Sequence, residues 1–158
     1  MEPVSLGQFH LVYNAFSFAI AVMGAATAFF FLNRSQVAPA YRTAITISGV
    51  VTLVAMYHYL RIFASWDAGF SVLNGEIKPT GIAFNDAYRY VDWLLTVPLL
   101  LIELVLVMRL SQDETMSKSI KLGAAAALMV ALGYPGEIAD AAAFWSARMP
   151  NIAVEVIR

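Results

Sequence analysis

Between Glu2 and Arg34 the chain carries no Asp, Glu, Lys or Arg. The stretch FHLVYNAFSFAIAVMGAATAFFFLN within that gap is long enough to cross a bilayer with tilt. It is too long for the apolar core of a signal peptide, and no basic segment precedes it. Composition agrees: 60% of the 158 residues are hydrophobic, 13% are charged, and the mean hydropathy is +0.69. Soluble domains run at about 45–50% apolar and about 25% charged, so the composition argues against a soluble fold and excludes a disordered chain. A net charge of −1 provides no field for nucleic acid. Cysteine is absent, which excludes disulfides and thiolate metal sites. At ~20 residues per spanning helix, the length admits at most about five spans.

Gaps between charges place the remaining spans. The second runs from Arg42 to Arg61 and ends in YHYLRI. The third begins near Phe84 and reads VDWLLTVPLLLIELVLVM despite holding Arg89, Asp92 and Glu103. The fourth, Ala-rich, lies between Lys121 and Glu137. Residues 138–158 contain Asp140, Arg148, Pro150, Glu155 and Arg158, and form at most a broken fifth element. Arg34 and Arg42 mark one loop as basic. Arg109, Lys118 and Lys121 mark a second, read here as 109–121. Both belong inside, and the N-terminus outside. The loop at 65–86 is then external, and its Asn74-Gly75 pair between FSVL and EIKPT signals a β-hairpin.

Ionisable residues at membrane depth are costly and mark pathways. Arg89 and Asp92 are three apart, Asp92 and Thr96 four apart, so each pair shares a helix face. Glu103 follows Asp92 by eleven residues, roughly three turns, returning to nearly the same face ~16 Å along the axis. Two carboxylates on one stripe suit a proton path, with Pro98 able to bend the helix between them. His58 would lie roughly 9 Å below the external surface and Asp92 roughly 12 Å, on sequential helices. A His58–Asp92 hydrogen bond that shares a proton is therefore expected. On spacing alone, Trp93, Met129 and Gly133 read as packing residues.

NDAYRYVDWLLTVPLLLIELVLV at 85–107 resembles the third helix of microbial rhodopsins of the proteorhodopsin and xanthorhodopsin group. AMYHYLRI at 55–62 and AALMVALGYPGE at 126–137 are similar to the same group, and the resemblance covers roughly residues 5–148. It implies an all-α membrane protein, the N-terminal four to five helices of a seven-helix bundle. Residues 1–148 would form that part, and 149–158 a divergent tail. It implies a light-driven outward proton pump in a bacterial inner membrane. The chromophore would be all-trans retinal, bound as a Schiff base. Asp92 would be counterion and proton acceptor, and Glu103 the cytoplasmic proton donor. His58 would partner Asp92, Arg89 would complete the counterion group and govern release, and Thr96 would fill the middle of the pump signature. Tyr90, Trp93, Leu100, Met129 and Gly133 match positions of the retinal pocket, with Leu100 resembling green-absorbing members. Homo-oligomers are usual in the group, while a carotenoid antenna stays open.

The seventh-helix lysine of the group has no counterpart among Lys78, Lys118 and Lys121, which are placed in loops or at a helix edge. Pumping would then require C-terminal helices as partners, in addition to the lipid bilayer and protons. The alternatives on the same scaffold are a photosensor and a truncated or split, non-pumping fragment.

Overall fold

The computed structural model describes residues 4–73, 76–85 and 87–138. Among these, four helices are long and apolar enough to cross a membrane: α1 (Leu6–Leu32), α2 (Arg42–Ala68), α3 (Tyr88–Val107) and α4 (Gln112–Ile138). The chain is a multi-pass membrane protein. Ser5 starts α1 with a capping box, its Oγ accepting from the Gln8 amide while the Gln8 side chain accepts from the Ser5 amide. Neighbouring helices are antiparallel and close-packed. Gly24 lies under Met56, and Gly49 lies under the ring of Phe31, where an added Cβ would stand 3.0 Å from ring carbons. Small residues at such crossings let backbones approach where no hydrophobic force drives helices together in lipid.

The expected hairpin is present: β1 (Phe70–Leu73) pairs antiparallel with β2 (Glu76–Pro79), from Phe70↔Pro79 to Leu73↔Glu76. The Asn74-Gly75 turn itself lies outside the described residues, as do the stretch from residue 139 onward and the proposed tail. Phe70 is buried against Phe9 and Trp66, with ring centroids 5.6 and 4.7 Å apart, so the hairpin closes the bundle through an aromatic cluster. Gly81 at φ +85° turns the chain back towards α3.

Helix ends depart from the charge-gap reading in three places. First, α2 continues beyond Arg61 to Ala68, because Trp66 adds to the aromatic cluster there. Second, α3 starts at Tyr88 rather than near Phe84. Asn85 is held by Ser65, whose Oγ accepts from its amide, and Asn85 Oδ1 accepts from the Ala87 amide, a side-chain turn that competes with helix. His58 is therefore ten residues from the end of α2 and Asp92 four residues from the start of α3, yet the two stand at one level, 3.5 Å apart. Third, α4 starts at Gln112, so Lys118 and Lys121 lie on a helix and not in a loop. Ser111 Oγ accepts from the Glu114 amide, and Asp113 and Glu114 occupy the first turn, where the helix dipole favours acids. The remaining connection is short and uses Arg109 at φ 53°, a left-handed stop after α3. The Arg109 guanidinium lies over the Tyr41 ring at 5.6 Å.

Candidate functional site

The face of α3 that carries Asp92, Thr96 and Glu103 packs against α2. Asp92 is 6% exposed, Thr96 4% and His58 7%. The sequence places them there because Asp92 and Thr96 are one turn apart while Trp93, Leu94 and Leu95 point elsewhere. Thr96 Oγ1 donates to the Asp92 carbonyl at 2.9 Å, which satisfies the hydroxyl within the helix.

His58 Nδ1 stands 3.5 Å from Asp92 Oδ1. The same nitrogen is 3.0 Å from the Val54 carbonyl, its nearer acceptor. The two side chains are thus brought together, but the short hydrogen bond is to α2's own backbone. Asp92 Oδ1 is buried and makes no hydrogen bond among the described residues. A buried carboxylate oxygen with spare acceptor capacity, an imidazole beside it, is equipped to take up a proton.

Glu103 is held by a residue that the sequence reading missed. Ser48 Oγ on α2 donates to Glu103 Oε1 at 2.5 Å. A register argument could have found it. In antiparallel helices a step back along α2 matches a step forward along α3. Starting from His58 opposite Asp92, ten residues back is Ser48 and eleven forward is Glu103. The two carboxylates therefore each have a polar partner on α2, on two levels ~16 Å apart.

Arg89, one turn before Asp92, lines a cavity of about 290 Å³ with Phe16, Tyr59, Ile62 and Phe84, between the Asp92 level and the hairpin end. Arg61 donates to Tyr88 Oη at 3.2 Å and lies over its ring at 5.4 Å, tying α2 to the start of α3.

Tyr90, Trp93, Leu100, Met129 and Gly133 divide between α3 and α4. The rings of Tyr90 and Trp93 are 5.2 Å apart. Gly133 allows Tyr90 to approach α4: a Cβ there would be 3.0 Å from its Cε1. Trp93, Leu100 and Met129 are 41, 48 and 62% exposed. They present an apolar surface beside the buried polar stripe. Lys78 lies in β2, and Lys118 and Lys121 lie in the polar first turns of α4. No group of three or more potential metal ligands occurs among the described residues.

Residues 11–152 match the bacteriorhodopsin-like protein family. The chain is 37% identical over 123 residues to the blue-light absorbing proteorhodopsin of Gamma-proteobacterium Hot 75m4, covering 78% of this chain and 44% of that protein. To the green-light absorbing proteorhodopsin of Gamma-proteobacterium EBAC31A08 it is 35% identical over 134 residues, covering 84% and 49%. Among solved structures, xanthorhodopsin, described as a light-driven ion pump with dual chromophore, superposes with a TM-score of 0.86 at 53% identity. That match covers 90% of this chain and 57% of xanthorhodopsin. A thermophilic rhodopsin superposes at 0.84 with 51% identity, covering 88% and 55%. The chain spans about half the length of the curated relatives it matches. With the family match covering most of the sequence and the helix order, hairpin and superposition in agreement, the chain belongs to the bacteriorhodopsin-like proteins, the microbial rhodopsins.

Proposed function

We propose that this chain supplies the acceptor and donor half of a light-driven, outward proton pump, completed by further helices of the same fold. The observation that carries the reading is the pair of carboxylates on one face of α3, Asp92 beside His58 and Glu103 beside Ser48, ~16 Å apart. Arg34, Arg42 and Arg109 at the end opposite the hairpin, with Lys118 and Lys121 nearby on α4, support that end as cytoplasmic. Asp92 and Arg89 then face outward and Glu103 inward, and the N-terminus is outside, in a bacterial inner membrane.

The apolar surface of Trp93, Leu100 and Met129, with Gly133 relieving the wall behind Tyr90, fits an elongated polyene such as all-trans retinal. Joined to a lysine of the completing helices, retinal would supply a light-isomerised polyene, and the lysine the protonated Schiff-base nitrogen at its end. The chain's own residues do the rest. Asp92 Oδ1 accepts a proton, His58 steadies the carboxylate, and Arg89 holds positive charge on the outward side. Glu103 gives up a proton from the inner side and recovers one from the cytoplasm. The attachment lysine belongs to the completing helices: Lys121 is twelve residues, ~18 Å of helix, from Gly133.

Co-expression of this chain with the C-terminal helices of a green-light absorbing proteorhodopsin, in the presence of all-trans retinal, tests the proposal. The expected result is a visible band that bleaches with hydroxylamine, and acidification of the medium under light that is lost in Asp92→Asn. A colourless complex sinks the retinal reading. A coloured one that cycles over seconds without acidification makes the protein a photosensor.

A further inference from the structure

The Ser48–Glu103 contact is the end of a longer polar string. Thr27 on α1 is buried, and its Oγ1 is 2.9 Å from Thr52 Oγ1 on α2. Thr52 Oγ1 is in turn 3.0 Å from the Ser48 carbonyl. Each hydroxyl has one proton to donate. One assignment satisfies all three interhelical and intrahelical links at once. Thr27 donates to Thr52, Thr52 donates to the Ser48 carbonyl, and Ser48 donates to Glu103 Oε1.

Every hydroxyl in the string also has an alternative acceptor on its own helix. Thr27 reaches the Met23 carbonyl at 2.8 Å, Thr52 the Gly49 carbonyl at 3.1 Å and Ser48 the Ala44 carbonyl at 3.3 Å. The links between helices are therefore not forced by want of a partner. The string lies at the level of Glu103 and crosses the bundle sideways from α1 through α2 to α3, so it orients the carboxylate rather than connecting it to either surface.

We propose that Thr27 and Thr52 are positioning residues for Glu103, acting through Ser48. By bonding the Ser48 carbonyl, Thr52 fixes the turn of α2 from which the Ser48 side chain projects. Thr27 holds Thr52 in the rotamer that does so, and bonds in such a chain polarise one another. The influence on Glu103 falls with each step away from it.

Isotope-edited infrared spectroscopy of the chain in lipid nanodiscs, in the dark, tests this without any transport. The Glu103 carboxyl band is assigned by its loss in Glu103→Gln. Ser48→Ala is expected to move the band most, Thr52→Val in the same direction by less, and Thr27→Val by least. Thr52→Ser and Thr27→Ser restore it. These threonine variants are nearly isosteric, and far-ultraviolet circular dichroism verifies their helix content. A band left at its wild-type position by any of the first three variants, or not restored by serine, overturns the proposal. The role of Glu103 as proton donor, on which the functional meaning rests, is read separately in the light-active assembly. There Thr52→Val slows reprotonation by ~2–10-fold, the range of one modest hydrogen bond. A moved band together with a reprotonation rate unchanged in Glu103→Gln keeps the positioning and refutes the donor role.

Discussion

Ser48 has two acceptors within reach, Glu103 Oε1 at 2.5 Å and the Ala44 carbonyl at 3.3 Å. When Glu103 is ionised, the hydroxyl donates to it. When Glu103 carries a proton, its O–H can donate a hydrogen bond to Ser48 Oγ while the Ser48 hydroxyl donates to the Ala44 carbonyl. One rotatable hydroxyl thus satisfies the carboxyl in both protonation states. Ser48→Ala leaves it without that partner, at a cost of ~1–3 kcal/mol. In the assembled pigment, reprotonation followed by flash photolysis should slow by at least ~5-fold, with Ser48→Thr near wild type. An unchanged rate in Ser48→Ala would show that Glu103 does not depend on this bond. His58 poses a different problem, because its Nδ1 is shared between Val54 and Asp92. Removing the imidazole strips the buried Asp92 carboxyl of its neighbour on α2. His58→Ala should therefore lower resistance to unfolding by SDS, and Asp92→Asn in the same background should recover most of the loss. Failure of that recovery would place the cost in packing around His58 instead.

At the scale of the helix, close approach decides stability. Gly49 faces three atoms of the Phe31 ring at 3.0–3.2 Å, whereas Gly24 faces the Met56 sulfur at 3.1 Å. A thioether at the end of an unbranched chain can move aside. The Phe31 ring is rigid and meets an added Cβ with three atoms at once, so it must move as a whole. Gly49→Ala should cost ~1–3 kcal/mol and Gly24→Ala clearly less, compared by unfolding in mixed micelles. Equal costs would mean that Phe31 swings freely. The same distinction between local and interhelical information explains what the sequence revealed. Charge gaps located all four spans, since no other arrangement hides those apolar runs. They misplaced the ends of α2, α3 and α4, because Trp66 packing, the Asn85 side-chain turn and the Ser111 cap act where polar residues already surround the helix. Asp92, Glu103 and His58 stood out as charges or imidazole in apolar runs. Ser48, Thr52 and Thr27 did not, because a hydroxyl in a membrane helix can bond its own backbone, and only the packed register shows which ones reach across.

For the molecule as a whole, the distribution of exposure makes the last prediction. In α3 the exposed apolar residues fall on two sides of the helix. Val91 and Leu95 lie on one, and Trp93, Leu100 and Leu104 on the other. The first side adjoins two apolar grooves, one lined by Val91 and Leu94 with α4 and one by Leu95 with α2. The second borders Asp92 and Thr96 and contains the positions that resemble a retinal pocket. In a completed bundle only the second side should leave contact with lipid. Trp93 reports on this directly when Trp66 and Trp145 are replaced by Phe. Alone in a bilayer, the chain should show strong quenching of Trp93 fluorescence by lipids brominated on their acyl chains. On assembly with the C-terminal helices and retinal, quenching by the same lipids should fall several-fold. A tryptophan placed at Leu95 should stay quenched in both states. Because accessibility is read, not total emission, energy transfer to the chromophore does not mimic the effect. If Trp93 remains open to lipid after assembly while Leu95→Trp becomes protected, the completing helices dock on the opposite face, and the carboxylate stripe does not line the interior of the pump.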